Sequence, residues 1–233
     1  MERPVSRRWA AALCALLLLL AAAILVRPGA LHRPTYTAED FGIETWCSGV
    51  DHNENGLDDA QDLLLGARQD AQNHPRYDSS YWDGGYPPEN VGVCTDVIWR
   101  AFRQAGYSLR EMVDADIEAA AQAYPHIQSR DKNIDFRRVN TLMVFFRRHA
   151  LHLTTDVSDI TQWQRGDIVV FDEGTHIGMV SDLRNPQGVP YIIHQAGQPR
   201  REEDILQRSD ITAHYRFDAA LLPPELMISW QAG

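Results

Sequence analysis

The sequence has few cysteines and a deficit of basic residues. Cys14 lies in an apolar N-terminal segment, so only Cys47 and Cys94 remain downstream of it. Two cysteines exclude a disulfide framework, although they could pair with each other in an oxidising compartment. Residues 1–33 hold five of the 22 basic and one of the 32 acidic residues, which leaves 17 basic and 31 acidic residues in 34–233. This net charge of −14 argues against a nucleic-acid partner.

No internal repeat and no low-complexity tract covers the chain. The 233 residues, 44% of them hydrophobic, suit one globular domain with an appendage. The appendage is the N-terminus, where three Arg precede an uncharged apolar run from Trp9 to Val26. Residues 1–33 therefore read as a signal peptide or a membrane anchor. The run lacks a clear small-x-small cleavage site, which favours the anchor.

The charges around this segment place the N-terminus in the cytoplasm and the rest of the chain outside it. The protein is therefore expected to be periplasmic or otherwise extracytoplasmic, either secreted or anchored to the inner membrane. Leu13 directly before Cys14 argues against a lipoprotein cleavage site, which requires a small residue there.

The stretch Asp51–Asp62 has the ligand spacing of an EF-hand calcium loop, with Gly56 at the sixth position. The candidate calcium ligands are the side chains of Asp51, Asn53, Asn55, Asp59 and Asp62 and the carbonyl of Leu57. Asp62 replaces the usual Glu at position 12, as in dockerin-type loops, and Asp58 replaces an aliphatic residue at position 8. The alternative is a polar turn that caps the next helix through Asp58 or Asp59.

Apolar periodicity predicts helices first and strands afterwards, which together make an α+β domain. The predicted helices are Asp59–Gln72, Cys94–Ala105, Leu109–Tyr124 and Val139–His149. The predicted strands are Asp167–Phe171, His176–Ser181, Tyr191–Gln195 and His214–Phe217. We expect Asp167 to have a structural role, and the Arg137-Arg138 and Arg147-Arg148 pairs to lie on solvated helix faces.

The most informative pattern is a cysteine at a helix start followed by a histidine on each of two later strands. Cys94 lies in Gly-Val-Cys-Thr-Asp, His176 in Thr-His-Ile-Gly and His194 in Ile-Ile-His-Gln. A helix N-terminus and a nearby imidazole lower a thiol pKa. One histidine would act as base and the other would orient it. A zinc site is the competing interpretation, but it lacks a fourth ligand at close spacing.

Over residues 77–195 the order of motifs resembles NlpC-type cysteine peptidases of the papain-like superfamily. The matching features are Tyr81 with Gly84-Gly85, the Cys94 helix start, the Gly166–Phe171 strand, His176-Ile177-Gly178-Met179 and His194. Thr95-Asp96 departs from the Ser-Gly that usually follows the nucleophile. Residues 51–217 also resemble the YijF-like family, the domain of unknown function numbered 1287.

The resemblance implies a papain-like fold, in which N-terminal helices bearing the nucleophile pack on a C-terminal antiparallel sheet. It implies that Cys94 attacks an amide carbonyl, that His176 acts as general base and that His194 orients His176. The backbone N–H of Cys94 would contribute to an oxyanion hole. The candidate substrate-binding residues are Tyr81, Trp82 and Asp83. No cofactor is expected for catalysis, and calcium would be structural.

The expected organisation is an N-terminal segment (1–33), a lead-in with the calcium loop (34–66), a catalytic domain (67–222) and a tail (223–233). The leading hypothesis is an exported cysteine hydrolase of amide bonds whose substrate is a cell-wall (peptidoglycan) peptide. The alternative is a non-catalytic papain-like module that binds wall peptides or a partner protein. A third hypothesis is a calcium-stabilised structural domain with a Cys47–Cys94 disulfide.

Overall fold

This computed structural model describes residues 35–231. The α-helices come first in the chain, and the strands of a six-stranded antiparallel sheet follow them. The predicted signal peptide or anchor, including Cys14, lies outside the described residues. The four α-helices are α1 (Asp59–Asn73), α2 (Cys94–Gln104), α3 (Leu109–Ala119) and α4 (Val139–His149). The α+β prediction is therefore confirmed. Within residues 35–231, no helix has the length and apolarity needed to cross a membrane.

Six strands, numbered by their order in the chain, form one antiparallel sheet. In spatial order they are β3 (Leu151–His152), β8 (Ile211–Arg216), β4 (Ile168–Phe171), β5 (His176–Arg184), β6 (Pro190–Ile193) and β7 (Glu202–Glu203). A separate parallel pair, β1 (Arg76–Tyr77) and β2 (Val91–Gly92), lies before α2. The four predicted strands overlap β4, β5, β6 and β8, with ends that differ by up to three residues. The two-residue strands are too short to show an alternating pattern.

Both faces of the central strand β4 are covered, which explains its uninterrupted apolar sequence. Ile168 and Val170 face the larger core, which also contains α2. Val169 and Phe171 face a smaller core built around Trp163. All four side chains are at most 1% exposed.

Helix α2 is held in the larger core by the apolar stripe that its sequence predicts. Val97, Ile98, Ala101, Phe102 and Ala105 are all at most 1% exposed. Burial of each of the larger side chains stabilises the fold by roughly 1.5–3 kcal/mol. Helix α1 crosses α2 closely at Gly66, where a Cβ atom would lie 2.7 Å from the Cα of Ala101.

Two expected boundaries differ from the structure. The expected limit between lead-in and catalytic domain, after residue 66, falls inside α1, and the residues from Thr35 onward belong to one compact unit. The expected tail also packs on the core: Leu226 is buried, and the N–H of Trp230 donates to the carbonyl of Gly106 at 2.7 Å.

Helix α3 is shorter than predicted. It ends at Ala119, because Ala120 leaves the helical region and a 3₁₀ turn follows at Ala121–Ala123. This change of direction brings the Tyr124 hydroxyl back to the Asp116 carboxylate, to which it donates at 2.5 Å.

Candidate active site

Three secondary-structure elements present the residues of the predicted triad. Cys94 is the first residue of α2, His176 is the first residue of β5, and His194 directly follows β6. Strands β5 and β6 are neighbours, and the Nε2 of His176 lies 2.9 Å from the Nδ1 of His194. The backbone N–H of Ile177, the residue after His176, is close enough to the Cys94 thiol to lower its pKa. The structure therefore brings the three residues together.

The glycine two residues after His176 allows this close approach. A Cβ atom on Gly178 would lie 2.6 Å from Ile192 Cγ2 and 3.0 Å from the Ile193 carbonyl oxygen. It would also lie 3.2 Å from the Cβ of His194. A side chain at this position would push β6 away from β5 and separate the two histidines.

The thiol of Cys94 is held in its neutral form, contrary to the expectation that the helix start lowers its pKa. Burial raises the pKa of Cys94 to about 11, and the nearby Asp96 carboxylate adds to this effect. Backbone N–H groups, including those of Ile177 and Thr95, oppose it but are outweighed. The helix start does not lower the thiol pKa because Cys94 is only 9% exposed.

The two histidines are also held neutral. Burial lowers the pKa of His176 below its ordinary value, although the Asp172 carboxylate acts in the opposite direction. Burial lowers the pKa of His194 to about 3, with smaller contributions in the same direction from the neighbouring His176, Arg201 and Arg208. The resting site is therefore a neutral thiol beside two neutral imidazoles.

Asp96 and Arg137 form a buried ion pair beneath the nucleophile. The Arg137 guanidinium donates to both oxygens of Asp96, at 2.8 and 2.9 Å. Asp96 also accepts the N–H of Val93 at 2.7 Å and the indole N–H of Trp99 at 2.7 Å. Asp96 is thus the residue that caps the start of α2. The expectation that Arg137 is solvated is wrong, because its side chain is only 1% exposed, whereas Arg138 is exposed as expected.

The predicted substrate-binding residues lie on a loop that Arg137 holds through a hydrogen bond of 3.1 Å to the Ser80 carbonyl. Tyr81 is 55% exposed, and its hydroxyl contacts Asp131 and Asn133. Trp82 is half-buried and Asp83 is exposed. Among the described residues, no hydrogen bond joins these three side chains to the triad.

Sequence reasoning missed two other residues near the triad. Tyr77 pairs in register with Gly92, two residues before Cys94, and remains about half exposed. Burial raises the Tyr77 pKa, and the nearby Cys94 and Asp96 add to this effect. Glu203 lies 3.2 Å from the Nε2 of His194. Neither residue belongs to a motif, and only the sheet register reveals them.

The calcium-loop residues divide into two groups. Asn53 and Asn55 donate to the Asp62 carboxylate at 2.9 Å and 3.0 Å, and Asp51 accepts the N–H groups of Asn55 and Gly56. The side chains of these four candidate ligands (Asp51, Asn53, Asn55, Asp62) are therefore tied to one loop. Leu57 continues the same turn, with its N–H donating to the Asn55 side chain.

Asp59 is directed elsewhere. Its oxygens accept the N–H of His52 at 2.9 Å and the hydroxyl of Tyr107 at 2.6 Å. Within residues 35–231, no hydrogen bond links its side chain to the other candidate ligands. Asp58 caps α1 by accepting the N–H groups of Ala60 and Gln61, as the polar-turn alternative requires. In residues 35–231, no group of three or more His, Cys, Asp and Glu side chains is arranged to hold a metal ion.

Cys47 and Cys94 are both free thiols, and Cys47 is exposed whereas Cys94 is buried. The predicted Cys47–Cys94 disulfide of the third hypothesis is therefore wrong. Asp167 is structural as expected: it is fully buried and accepts from the N–H of Gln164, the ring of His214 and the guanidinium of Arg216.

Comparisons with known proteins agree with one of the two resemblances. Residues 64–217 match the family described as "Domain of unknown function (DUF1287)". "Uncharacterized protein YijF" of Escherichia coli (strain K12) is 37% identical over 162 residues, which cover 65% of this chain and 78% of the relative. No solved structure matches the chain. The chain belongs to the DUF1287 family.

Proposed function

We propose that this protein is an exported, papain-like cysteine hydrolase of amide bonds with a Cys94–His176–His194 triad. The observation that supports the proposal best is the 2.9 Å contact between His176 Nε2 and His194 Nδ1 beside the Cys94 helix start. A nucleophile, a base and a group that orients the base are the components that acyl transfer requires. The half-buried His176 and the buried His194 supply the last two of these components.

The charge states of the site indicate how the reaction would begin. Because thiol and imidazole are both neutral, the Cys94 proton moves to His176 as the sulfur attacks the carbonyl carbon. The S–C bond forms, and the carbonyl oxygen becomes an oxyanion near the N-terminus of α2. The C–N bond then breaks as His176 returns its proton to the leaving amine. Water hydrolyses the thioester and regenerates Cys94.

The proposed substrate is a short peptide of the cell wall, and the proposed location is outside the cytoplasm. The apolar N-terminal segment supports the location, and the similarity to NlpC-type peptidases supports the substrate class. Tyr81, Trp82 and Asp83 remain the proposed substrate-contacting residues, and we add Tyr77 because it pairs with Gly92, two residues before Cys94. The acidic chain, with a net charge of −10, supports the proposal that no nucleic acid is bound.

The second candidate function is a binding module that holds wall peptides or a partner protein without cleaving them. The specific observation in its favour is the thiol itself, which is 9% exposed and has a pKa of about 11. A thiol that stays protonated at neutral pH is a weak nucleophile unless a base assists it.

Incubation with soluble peptidoglycan fragments distinguishes the two functions. For the hydrolase we expect new amino groups, seen by mass spectrometry, and at least a thousandfold loss in Cys94→Ala and His176→Ala. Cys47→Ser is the matched control and should retain full activity. If the wild-type protein binds the fragments without releasing amines, and both triad variants bind equally well, the hydrolase proposal is wrong and the binding module is supported.

A further inference from the structure

The outer strand β7 places two consecutive glutamates on opposite sides of the sheet edge. Glu202 is in register with Ile193, and Glu203 with Ile192. Because successive side chains of a strand point to opposite faces, the two carboxylates have different partners. Glu202 contacts Arg68 at 2.8 Å, whereas Glu203 lies 3.2 Å from the Nε2 of His194.

The contact with Glu203 restricts the proton arrangement of the histidine pair. A carboxylate oxygen offers only lone pairs, so the 3.2 Å contact favours the His194 tautomer that carries its hydrogen on Nε2. A neutral imidazole has one N–H, so the Nδ1 of His194 is then an acceptor. Nδ1 lies 2.9 Å from His176 Nε2, which must therefore donate. The remaining nitrogen of His176, Nδ1, is left with its lone pair.

The opposite arrangement would place two acceptors against each other. If His194 carried its hydrogen on Nδ1, its Nε2 lone pair would face the Glu203 carboxylate across 3.2 Å in a residue that is only 6% exposed. Glu203 therefore disfavours the tautomer in which Nδ1 of His176 carries a hydrogen and cannot act as the base.

No other neighbour of His194 selects between the tautomers. The amide nitrogen of Gln198 lies 3.4 Å from Nδ1 and 3.2 Å from Nε2, nearly equidistant, and also 3.1 Å from the His194 carbonyl oxygen. The neighbouring Arg201 and Arg208 charges act against protonation of the whole ring and not on one nitrogen.

We infer that Glu203 is a positioning residue that fixes the hydrogen of His194 on Nε2 and thereby leaves Nδ1 of His176 as the free base for the Cys94 proton. This inference rests on the proposed function, in which His176 is the general base. It extends the triad to a chain of four groups that runs from Glu203 through His194 and His176 to Cys94.

The first test measures the tautomer directly and does not depend on activity. The full-length protein is labelled with ring-¹⁵N histidine, and the His194 resonances are assigned with His194→Gln. We expect the Nε2–H form in wild type and in Glu203→Gln, whose amide oxygen still accepts. We expect a shift toward the Nδ1–H form in Glu203→Leu, with Glu203→Ala as the second variant if Leu disturbs folding. Glu202→Gln is the matched control and should resemble wild type.

The second test measures amide hydrolysis of peptidoglycan fragments by the same variants. Loss of the hydrogen-bond partner behind a metal-bound histidine typically lowers activity 10–100-fold. By analogy we expect kcat of Glu203→Leu to fall by that factor with little change in KM. Glu203→Gln should recover the wild-type kcat. An unchanged His194 tautomer in Glu203→Leu and Glu203→Ala would overturn the inference, whatever the activity. A wild-type protein without amidase activity would contradict the proposed function alone, because the tautomer test still decides the role of Glu203.

Discussion

At the scale of single residues, burial determines the chemistry of Cys94 more than its place at a helix start does. A sequence motif indicates that a cysteine begins a helix, but it does not indicate how deeply the sulfur is buried. Here the desolvation of the thiolate outweighs three backbone N–H groups. Any reaction at Cys94 therefore depends on a base that removes the proton as the sulfur attacks.

The pH dependence of alkylation tests this property of Cys94. The thiol pKa of about 11 lies above the working range, so the thiolate fraction and the rate should rise about tenfold per pH unit between pH 7 and 9. Iodoacetamide labelling with peptide mapping measures this rate, and exposed Cys47 is the internal reference. A rate plateau below pH 7 would instead reveal a thiolate–imidazolium pair.

Gly178→Ala tests the close approach of β5 and β6. The new Cβ would meet Ile192 and the Ile193 carbonyl at 2.6 and 3.0 Å, so we expect a loss of about 1–3 kcal/mol in the free energy of unfolding. Urea denaturation measures the loss. Equal stability of Gly178→Ala and wild type would contradict the packing argument.

At the scale of elements, the start of α2 is organised by an ion pair that the sequence does not reveal. Asp96 and Arg137 are 41 positions apart, and Arg137 resembles its exposed neighbour Arg138 in the sequence. The pair joins the Cys94 helix to the loop at Ser80 through the Arg137 hydrogen bond. This link would hold the proposed substrate-contacting residues of that loop in a fixed position relative to Cys94.

Arg137→Leu should destabilise the protein by about 3–5 kcal/mol, because Asp96 would become a buried charge without a partner. Arg138→Leu, an exposed neighbour, should change the free energy of unfolding by less than about 0.5 kcal/mol. Chemical denaturation of both variants provides the comparison. In the double variant Asp96→Asn/Arg137→Leu, much of the loss should be recovered, since no unpaired charge remains. Equal effects of the two single variants would contradict the buried pair.

The loop 51–62 provides a second prediction at this scale. If it binds calcium as its spacing indicates, millimolar CaCl₂ should raise the stability of EDTA-treated protein by about 1–2 kcal/mol, as expected for a site of modest affinity. Thermal melting with CaCl₂ and with MgCl₂ measures the effect, and Asp51→Asn should remove it. An identical melting temperature in EDTA and in CaCl₂ would support the polar-turn alternative, in which Asp58 caps α1.

At the scale of the whole molecule, the buried neutral His194 makes the free energy of unfolding depend on pH. The folded-state pKa of His194 is about 3, below the ordinary value near 6.5, so the unfolded chain binds a proton more readily. The unfolded state then gains protons as the pH falls below 6.5, and stability decreases. This contribution is fully present above pH 6.5 and decreases down to about pH 3.

Urea denaturation at pH 7 and pH 4.5 should therefore show a decrease of about 2–3 kcal/mol that is attributable to His194. His194→Gln removes the titrating group, so its decrease over the same range should be smaller by that amount. His152→Gln, at an exposed position, is the matched control. An identical pH dependence in wild type and His194→Gln would show that His194 is not buried as a neutral ring.

The α+β class of the fold and the three triad candidates follow from local features of the sequence. Apolar periodicity is a local property, so it located four helices and the four longer strands, and the motifs identified Cys94, His176 and His194. Long-range contacts follow only from the tertiary structure. A sequence pattern does not indicate which distant side chains meet or how far packing excludes water from each of them. The Arg137–Asp96 pair, the Glu203–His194 contact and the raised pKa of Cys94 all depend on such packing.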